Sequence, residues 1–132
     1  MAGRPHIELW YADLGELGAL WQRDTDGELI VIDDGLGRRA RRCALAHELI
    51  HAERGIGHGA ATAATMEREE EIVRRETARR LVPVDELTVF AAPRDGIDPV
   101  SVADVMAEFD VDEIVATKAL ELLSVMPRTG SA

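Results

Sequence analysis

The chain has 132 residues, of which 46% are hydrophobic and 30% charged, and its formal net charge is −10. This length and composition predict one globular domain, and no apolar run approaches the roughly 18–20 residues that cross a bilayer. The negative charge argues against general nucleic-acid binding, which needs a surplus of lysine and arginine to neutralise phosphates.

The N-terminal residues and the cysteine content predict the compartment. The first ten residues, MAGRPHIELW, lack the apolar core of a secretory signal. Cys43 is the only cysteine, so no disulfide can form within the chain. Both features favour a cytoplasmic protein, because disulfides are rare in the reducing cytosol.

The first third of the chain predicts a small antiparallel β-sheet. Residues 7–14 (IELWYADL) and two apolar runs within residues 17–36 are rich in β-branched and aromatic residues, which favour strands. Asp26-Gly27 separates the two later runs, and this dipeptide is a strong signal for a hairpin turn.

Two long helices are predicted to follow the strands. The apolar residues next recur four apart, which predicts a helix over residues 38–54 that ends at Gly55. A second helix is predicted from about Thr65 to Val82, because Pro83 cannot continue it.

Two shorter helices are predicted near the C-terminus. Asp98-Pro99 has the pattern of an N-cap followed by proline at the first helical position, which opens one helix. Asp110, with Glu113 three residues later, resembles a capping box and opens the other. Together they predict a helical hairpin over about residues 98–124.

Residues 46–55 read AHELIHAERG. In a helix, His47 and His51 would have Cβ atoms about 5–6 Å apart, so that both imidazoles can reach one zinc ion. Glu48 would lie about 100° further round the helix, where it can take a proton from a water molecule beside the ion. An H-E-x-x-H helix is typical of metalloproteases. The alternative is an amphipathic helix with two surface histidines and a solvated glutamate.

With these features the chain resembles the ImmA/IrrE family of zinc-dependent metallopeptidases. The resemblance covers roughly residues 10–90 and lies in a joint pattern: a strand pair, the helix RCALAHELIHAERG, and a second helix, EEIVRRETARRLVP, that ends in Leu-x-Pro. It implies a cytoplasmic endopeptidase encoded on phages, on integrative elements or in stress-response loci. It also implies a helix-turn-helix repressor as the substrate, since members of this family are associated with cleaving such repressors.

The resemblance assigns roles by position. His47 and His51 match the family's histidine ligands of Zn²⁺, and Glu48 matches its general base. Glu70, on the second helix and thirteen residues before the proline, matches the third ligand. The family often has Asp or Asn four residues after that glutamate, where this chain has Arg74. The resemblance therefore leaves the surroundings of the metal ligands unassigned.

Helical periodicity also favours Glu70 as the third ligand. Met66, Val73, Thr77 and Leu81 recur at three- and four-residue steps, and Glu70 completes this apolar stripe. A carboxylate on a buried face is costly unless it meets a cation. Other acidic residues of this helix stay open as alternatives: Glu69 and Glu76 first, then Glu67 and Glu71 on its arginine-rich side.

Three further alternatives involve other contacts. His58 could be the third ligand, because HAERGIGH resembles the metzincin motif, although its glycine and its last histidine are out of frame. Glu70 could instead pair with Arg74, one turn along the helix. Cys43 lies one turn before His47 and could approach the metal, although such a cysteine more often fills the core.

The second C-terminal helix carries mostly acidic side chains: Asp112, Glu113 and Glu121, with one lysine, Lys118. The segment has the rhythm of a helix-turn-helix, but a helix that reads DNA needs side chains that do not repel phosphates. The pattern therefore favours a helical hairpin that covers the core. Its functional alternative is a docking surface for a basic partner, such as the DNA-binding face of a repressor.

The sequence thus predicts an α+β fold, in which a small antiparallel β-sheet packs beside the H-E-x-x-H helix and further helices. We expect a single zincin-like domain over residues 1–126 and a disordered tail at residues 127–132. The predicted function is Zn²⁺-dependent hydrolysis of a peptide bond in a helix-turn-helix repressor, with no direct binding to nucleic acid or membrane. The main alternative is a non-catalytic module that binds and blocks a repressor, and a weaker one is a DNA-binding regulator.

Overall fold

The computed structural model describes residues 7–24, 27–55, 62–92 and 99–125. In these ranges a short 3-10 turn at Gly15–Leu17 accompanies three strands and five α-helices. The strands are β1 (Ile7–Ala12), β2 (Ala19–Asp24) and β3 (Gly27–Asp33), and the helices are α1 (Arg38–Arg54), α2 (Ala63–Leu81), α3 (Val84–Phe90), α4 (Val102–Phe109) and α5 (Glu113–Val125). The predicted α+β class is confirmed.

The three strands form one mixed sheet in the order β1-β3-β2. β2 and β3 are antiparallel, with Trp21 opposite Ile30, so the predicted hairpin is confirmed. β1 runs parallel to β3, so the prediction of a purely antiparallel sheet is wrong for this strand pair. The central strand carries apolar side chains on both faces (Leu29, Ile30, Val31 and Ile32), and it separates two strands that are adjacent in sequence.

One face of the sheet packs against α1. Ile30 and Ile32 of β3 are fully buried and form a cluster with Trp21 and with Ala52 of α1. The helix ends at Gly55, as predicted, with φ 70° in the left-handed region. Glycine suits this backbone conformation, and a Cβ atom at Gly55 would lie 3.2 Å from the guanidinium of Arg23, which would have to shift slightly.

A second core joins the other end of α1 to the remaining helices. It contains buried residues from all five helices, with Val82 after α2 and Val111 between α4 and α5: Cys43, Ala78, Val82, Leu87, Val105, Val111, Val115, Ala116 and Ala119. α1 therefore contributes to both cores: Cys43 packs with the helices, whereas Ala44, Leu45, Leu49 and Ala52 pack with the sheet. That placement holds the H-E-x-x-H segment between the sheet and the helical part of the chain.

The helix ends depart from the prediction in specific ways. α2 begins at Ala63 rather than Thr65, because the hydroxyl of Thr62 caps it by accepting from the backbone N–H of Thr65 at 3.2 Å. The seven-residue α3 was not predicted. It follows Pro83 directly and is anchored by Leu87, which is 1% exposed. Packing stabilises a helix of this length, which is too short to form alone.

The predicted C-terminal helices are present, but different residues cap them. α4 begins at Val102, where Ser101 and Asp104 form a reciprocal capping box, whereas Asp98 lies outside the described residues. The carboxylate of Asp112, not that of Asp110, accepts the backbone N–H of Val115 at 2.9 Å and caps α5. Asp110 instead ends α4 in the left-handed conformation.

The contacts of its side chain explain why Asp110 ends α4 and does not cap α5. Its carboxylate pairs with Arg38 and Arg39 in the first turn of α1. Cations at a helix N-terminus oppose the helix dipole, and the tertiary contact with this carboxylate offsets that repulsion. The contact also fastens the turn between α4 and α5 to the start of α1.

Two further expectations relate to the chain as a whole. Among the described residues, none of the helices is long and apolar enough to cross a membrane. The predicted tail at residues 127–132 lies outside the described ranges, and the single domain over residues 1–126 stays a prediction.

Candidate metal centre

His47 and His51 project from one side of α1, as their spacing predicts. Their ring centroids are 4.9 Å apart, and the rings meet edge to face at an interplanar angle of 67°. The side chain of His51 is only 3% exposed, whereas that of His47 is 25% exposed. The pair therefore has a closed side at His51 and a side open to solvent at His47.

Glu70 of α2 faces both histidines. Its Oε1 lies 2.7 Å from Nε2 of His51, and its Oε2 lies 3.1 Å from Nε2 of His47. Ligand atoms of the three residues all lie within 4.8 Å of one another. Atoms that bind one zinc ion at about 2.0–2.2 Å in a tetrahedron are roughly 3.3 Å apart, so these side chains fit a single ion.

The electrostatic environment of His47 also suits a ligand. Burial lowers the pKa of its imidazole, while the negative charge of Glu70 acts in the opposite direction and partly offsets this effect. The neutral ring is thereby favoured near pH 7. A neutral imidazole is the form that binds a metal ion.

Glu48 follows His47 on α1 and is buried, with 9% of the residue exposed. Burial, and secondarily the charge of Glu70, raises the pKa of Glu48 from 4.5 to about 7. A carboxyl group with a pKa near the working pH can both accept and return a proton. Glu48 therefore has the acidity that the predicted general base requires.

Three other acidic residues of α2 form ion pairs elsewhere, and Glu67 is exposed. Glu69 forms a two-point ion pair with Arg54, at 2.6 Å and 2.9 Å. Glu76 pairs with Arg79 at 3.4 Å. Glu71 binds Lys118 of α5 and also pairs with Arg74, the residue that could have paired with Glu70. Glu70 is thus the acid of this helix that meets the histidines.

The remaining alternatives are resolved differently. Cys43 belongs to the helical core, where its Sγ accepts the backbone N–H of Asp112 at 3.4 Å. Burial raises the pKa of this thiol to about 11, which disfavours the thiolate that a metal needs. Cys43 is not part of the cluster formed by His47, His51 and Glu70. His58 lies outside the described residues.

Burial alone would favour Glu69 over Glu70, although Glu70 is the acid that faces the histidines. The periodicity argument places Glu70 on the buried face of α2, but its side chain is 30% exposed, whereas that of Glu69 is 10% exposed. α2 packs against both α1 and α5, so its contacts spread over more than one stripe. Glu70 is distinguished by its direction toward the histidines of α1 and not by the extent of its burial.

Two residues near the site were not identified from the sequence. The indole of Trp21 is stacked on His51, with ring centroids 6.4 Å apart and planes 7° from parallel. Its Nε1–H donates to Oε1 of Glu28 at 3.1 Å, and Glu28 is 6% exposed. The available signal was the alternation along β3, which places the carboxylate of Glu28 on the same inward face as Ile30 and Ile32.

Comparison with known families agrees with the site. The sequence pattern of the IrrE N-terminal-like domain matches residues 4–121, which is nearly the whole chain. The chain therefore belongs to this family of metallopeptidases, and the resemblance inferred from the motifs is confirmed. No curated protein gives a significant match to the sequence.

Proposed function

We propose that this member of the IrrE N-terminal-like family is a cytoplasmic, zinc-dependent endopeptidase that cleaves a helix-turn-helix repressor. The observation that carries the proposal is the convergence of His47, His51 and Glu70 within 4.8 Å, beside the buried carboxyl group of Glu48. Three protein ligands with an open fourth position are typical of catalytic rather than structural zinc sites.

The donor set accounts for the choice of metal. Two imidazole nitrogens and one carboxylate oxygen suit zinc, whereas calcium and magnesium prefer oxygen ligands alone. When bound, such an ion polarises the scissile carbonyl as a Lewis acid and makes a water molecule acidic enough to lose its proton near neutral pH.

The residues of the chain perform the remaining steps. His51 is buried and holds the closed side of the site, while the partly exposed His47 and Glu70 leave the other side accessible to a peptide. The carboxylate of Glu48 accepts the proton of the attacking water and returns it to the amine of the leaving peptide. Burial raises the pKa of Glu48 to about 7 in the metal-free protein, which makes its carboxylate a better proton acceptor than an ordinary exposed one.

The repressor as substrate is supported by the family and by charge. The chain has a net charge of −10, which attracts basic proteins in general. α5 buries Val115, Ala116 and Ala119 in the core, as a covering helix would. Its outer side borders a groove of about 590 Å³ lined by Asp112, Glu113, Ile114, Thr117, Lys118 and Glu121. This acidic groove suits a basic partner better than it suits DNA.

The proposal is tested by co-expression with repressors encoded near the gene, followed by mass spectrometry of their fragments. We expect cleavage with zinc-loaded wild type and none with Glu48→Gln, whose amide cannot accept the proton. Intact repressor in the presence of the zinc-loaded wild-type protein under inducing conditions would count against this function.

The contacts of Glu70 are also compatible with the non-catalytic alternative. The contacts of Glu70 with His47 and His51, at 3.1 Å and 2.7 Å, could join α1 to α2 as ordinary hydrogen bonds in a protein that only binds a repressor. Metal content after purification without chelators separates the two functions. About one zinc per chain supports the peptidase, and a metal-free protein supports the binding module.

A further inference from the structure

The ring of His51 packs against an anchored aromatic side chain. Trp21 lies on β2, is 8% exposed, and stacks nearly parallel to the imidazole. An offset stack at 6.4 Å between centroids is within the range of favourable aromatic contacts. Because His47 meets the same imidazole edge to face, His51 has an aromatic neighbour in each of two directions.

The indole of Trp21 is itself held in place by a buried carboxylate. Its Nε1–H donates to Glu28 at 3.1 Å, and the side chain of Glu28 is only 4% exposed. Glu28 also meets the guanidinium of Arg23 at 3.5 Å, directly across the hairpin. Burying a carboxylate is costly unless it is paired and hydrogen-bonded, so a core that needed only volume would carry an apolar residue here.

Arg23 connects this pair to the helix that bears the histidines. Its guanidinium lies over the Trp21 ring, 5.3 Å from the centroid. Its Nη2 donates to the backbone carbonyl of Ala52 at 3.4 Å, one residue after His51. The hairpin therefore contacts both the His51 ring and the backbone that carries it.

We infer that Trp21 and Glu28 are positioning residues of the metal centre: the carboxylate fixes the indole, and the indole fixes the His51 imidazole with Nε2 toward Glu70. A ligand that is oriented before the ion arrives loses less conformational freedom on binding. The inference rests on the proposed function in one respect, which is that the ion bound by His51 is zinc.

The test compares zinc affinities, measured by competition with a chromophoric chelator, for the full-length protein and its variants. Trp21→Phe keeps a ring but loses the N–H donor, and Glu28→Leu removes the acceptor at similar size. Each should weaken zinc binding severalfold to about tenfold, at or below the lower end of the effect of changing a group that hydrogen-bonds a ligand, because Trp21 supports His51 by stacking and Glu28 acts through Trp21. Glu28→Gln should recover most of the affinity, because its amide oxygen can still accept from the indole.

A matched control separates positioning from loss of stability. Ile30→Val lies in the same buried cluster and opposite Trp21, so it loosens the core without touching the hydrogen bond. It should lower the unfolding midpoint and leave zinc affinity unchanged. The double variant Trp21→Phe/Glu28→Leu should bind zinc with the same affinity as whichever single variant binds it less tightly. Both changes break the same hydrogen bond between Trp21 and Glu28, so their effects should not add. The absorption bands of bound Co²⁺ should shift in both single variants and not in Ile30→Val.

Four outcomes decide the inference. Zinc affinities of Trp21→Phe and Glu28→Leu equal to that of Ile30→Val would overturn it, and so would fully additive losses in the double variant. If wild type binds no zinc, both this inference and the proposed function fail. If wild type binds zinc and the variants weaken binding, but no repressor is cleaved, the inference stands and only the proposed function fails.

Discussion

Replacing Glu70 with glutamine should remove most of the zinc affinity, although the side chain keeps its length. In the native protein the two carboxylate oxygens reach His51 and His47 at 2.7 Å and 3.1 Å. The substitution exchanges one of these oxygens for an NH₂ group, which cannot bind a cation, and it removes the negative charge from the site. The residual amide oxygen is neutral and a weaker ligand for zinc.

The size of the loss follows from the place of Glu70 in the site. Changing a residue that only supports a ligand costs about 10- to 100-fold in metal affinity. Removing a ligand should cost at least the upper end of that range, about 100-fold or roughly 3 kcal/mol. The loss should come from binding and not from unfolding, because Glu70 is partly exposed and belongs to neither hydrophobic core.

Competition with a chelator measures the affinity, and chemical denaturation of the metal-free proteins checks that the fold is retained. Glu69→Gln is the matched control, because Glu69 neighbours Glu70 on α2 but binds Arg54. We expect Glu69→Gln and His58→Ala to keep nearly all of the affinity. If Glu70→Gln binds zinc as tightly as wild type while Glu69→Gln or His58→Ala does not, the assignment of the third ligand is refuted.

Three other changes test separate parts of the structure. Glu48→Gln should retain about one zinc per chain and lose hydrolysis, as measured by metal analysis and by fragment mass spectrometry. The folded-state pKa of Glu48, about 7, lies above its ordinary value of 4.5, so its contribution to stability is full below pH 4.5 and is lost as the pH rises through 7. Metal-free wild type should therefore lose up to about 3 kcal/mol of unfolding free energy between pH 4.5 and 8, relative to Glu48→Gln, and equal pH profiles would contradict the raised pKa. Leu87→Ala should cost about 2–5 kcal/mol in urea denaturation, because Leu87 is 1% exposed in the helical core, and a smaller loss would show that α3 contributes little.

The sequence by itself determined the features that depend on local geometry. Four residues span just over one helical turn, so His47 and His51 share a side of α1 in any structure where that helix forms. The helix also ends at Gly55, as predicted, because glycine adopts the left-handed conformation without strain. The hairpin between β2 and β3 belongs to the same group, since a short turn joins strands that are adjacent in the chain.

The sequence favoured Glu70 as the predicted third ligand on two grounds, the family pattern and the periodicity of α2. The prediction from periodicity relied on burial, and of the neighbouring acids Glu69 and Glu70 the more buried is Glu69. A helix that packs between two others has more than one inward stripe, and periodicity does not say which neighbour each stripe faces. The packing of α1 against α2 decides that Glu70 meets the histidines and that Glu69 meets Arg54.

Only the tertiary structure decided the contacts between segments that are distant in the chain. Patterning marks β1 as a strand but not its partner or direction, and β1 lies parallel to β3. Asp110 reads as a helix N-cap, yet its carboxylate is drawn to the arginines at the start of α1. Patterning places Trp21 and Glu28 on neighbouring strands, but only the packing of α1 against the sheet places His51 against the indole. Hydrogen-bond geometry and side-chain spacing act over a few residues, whereas these contacts depend on the path of the whole chain.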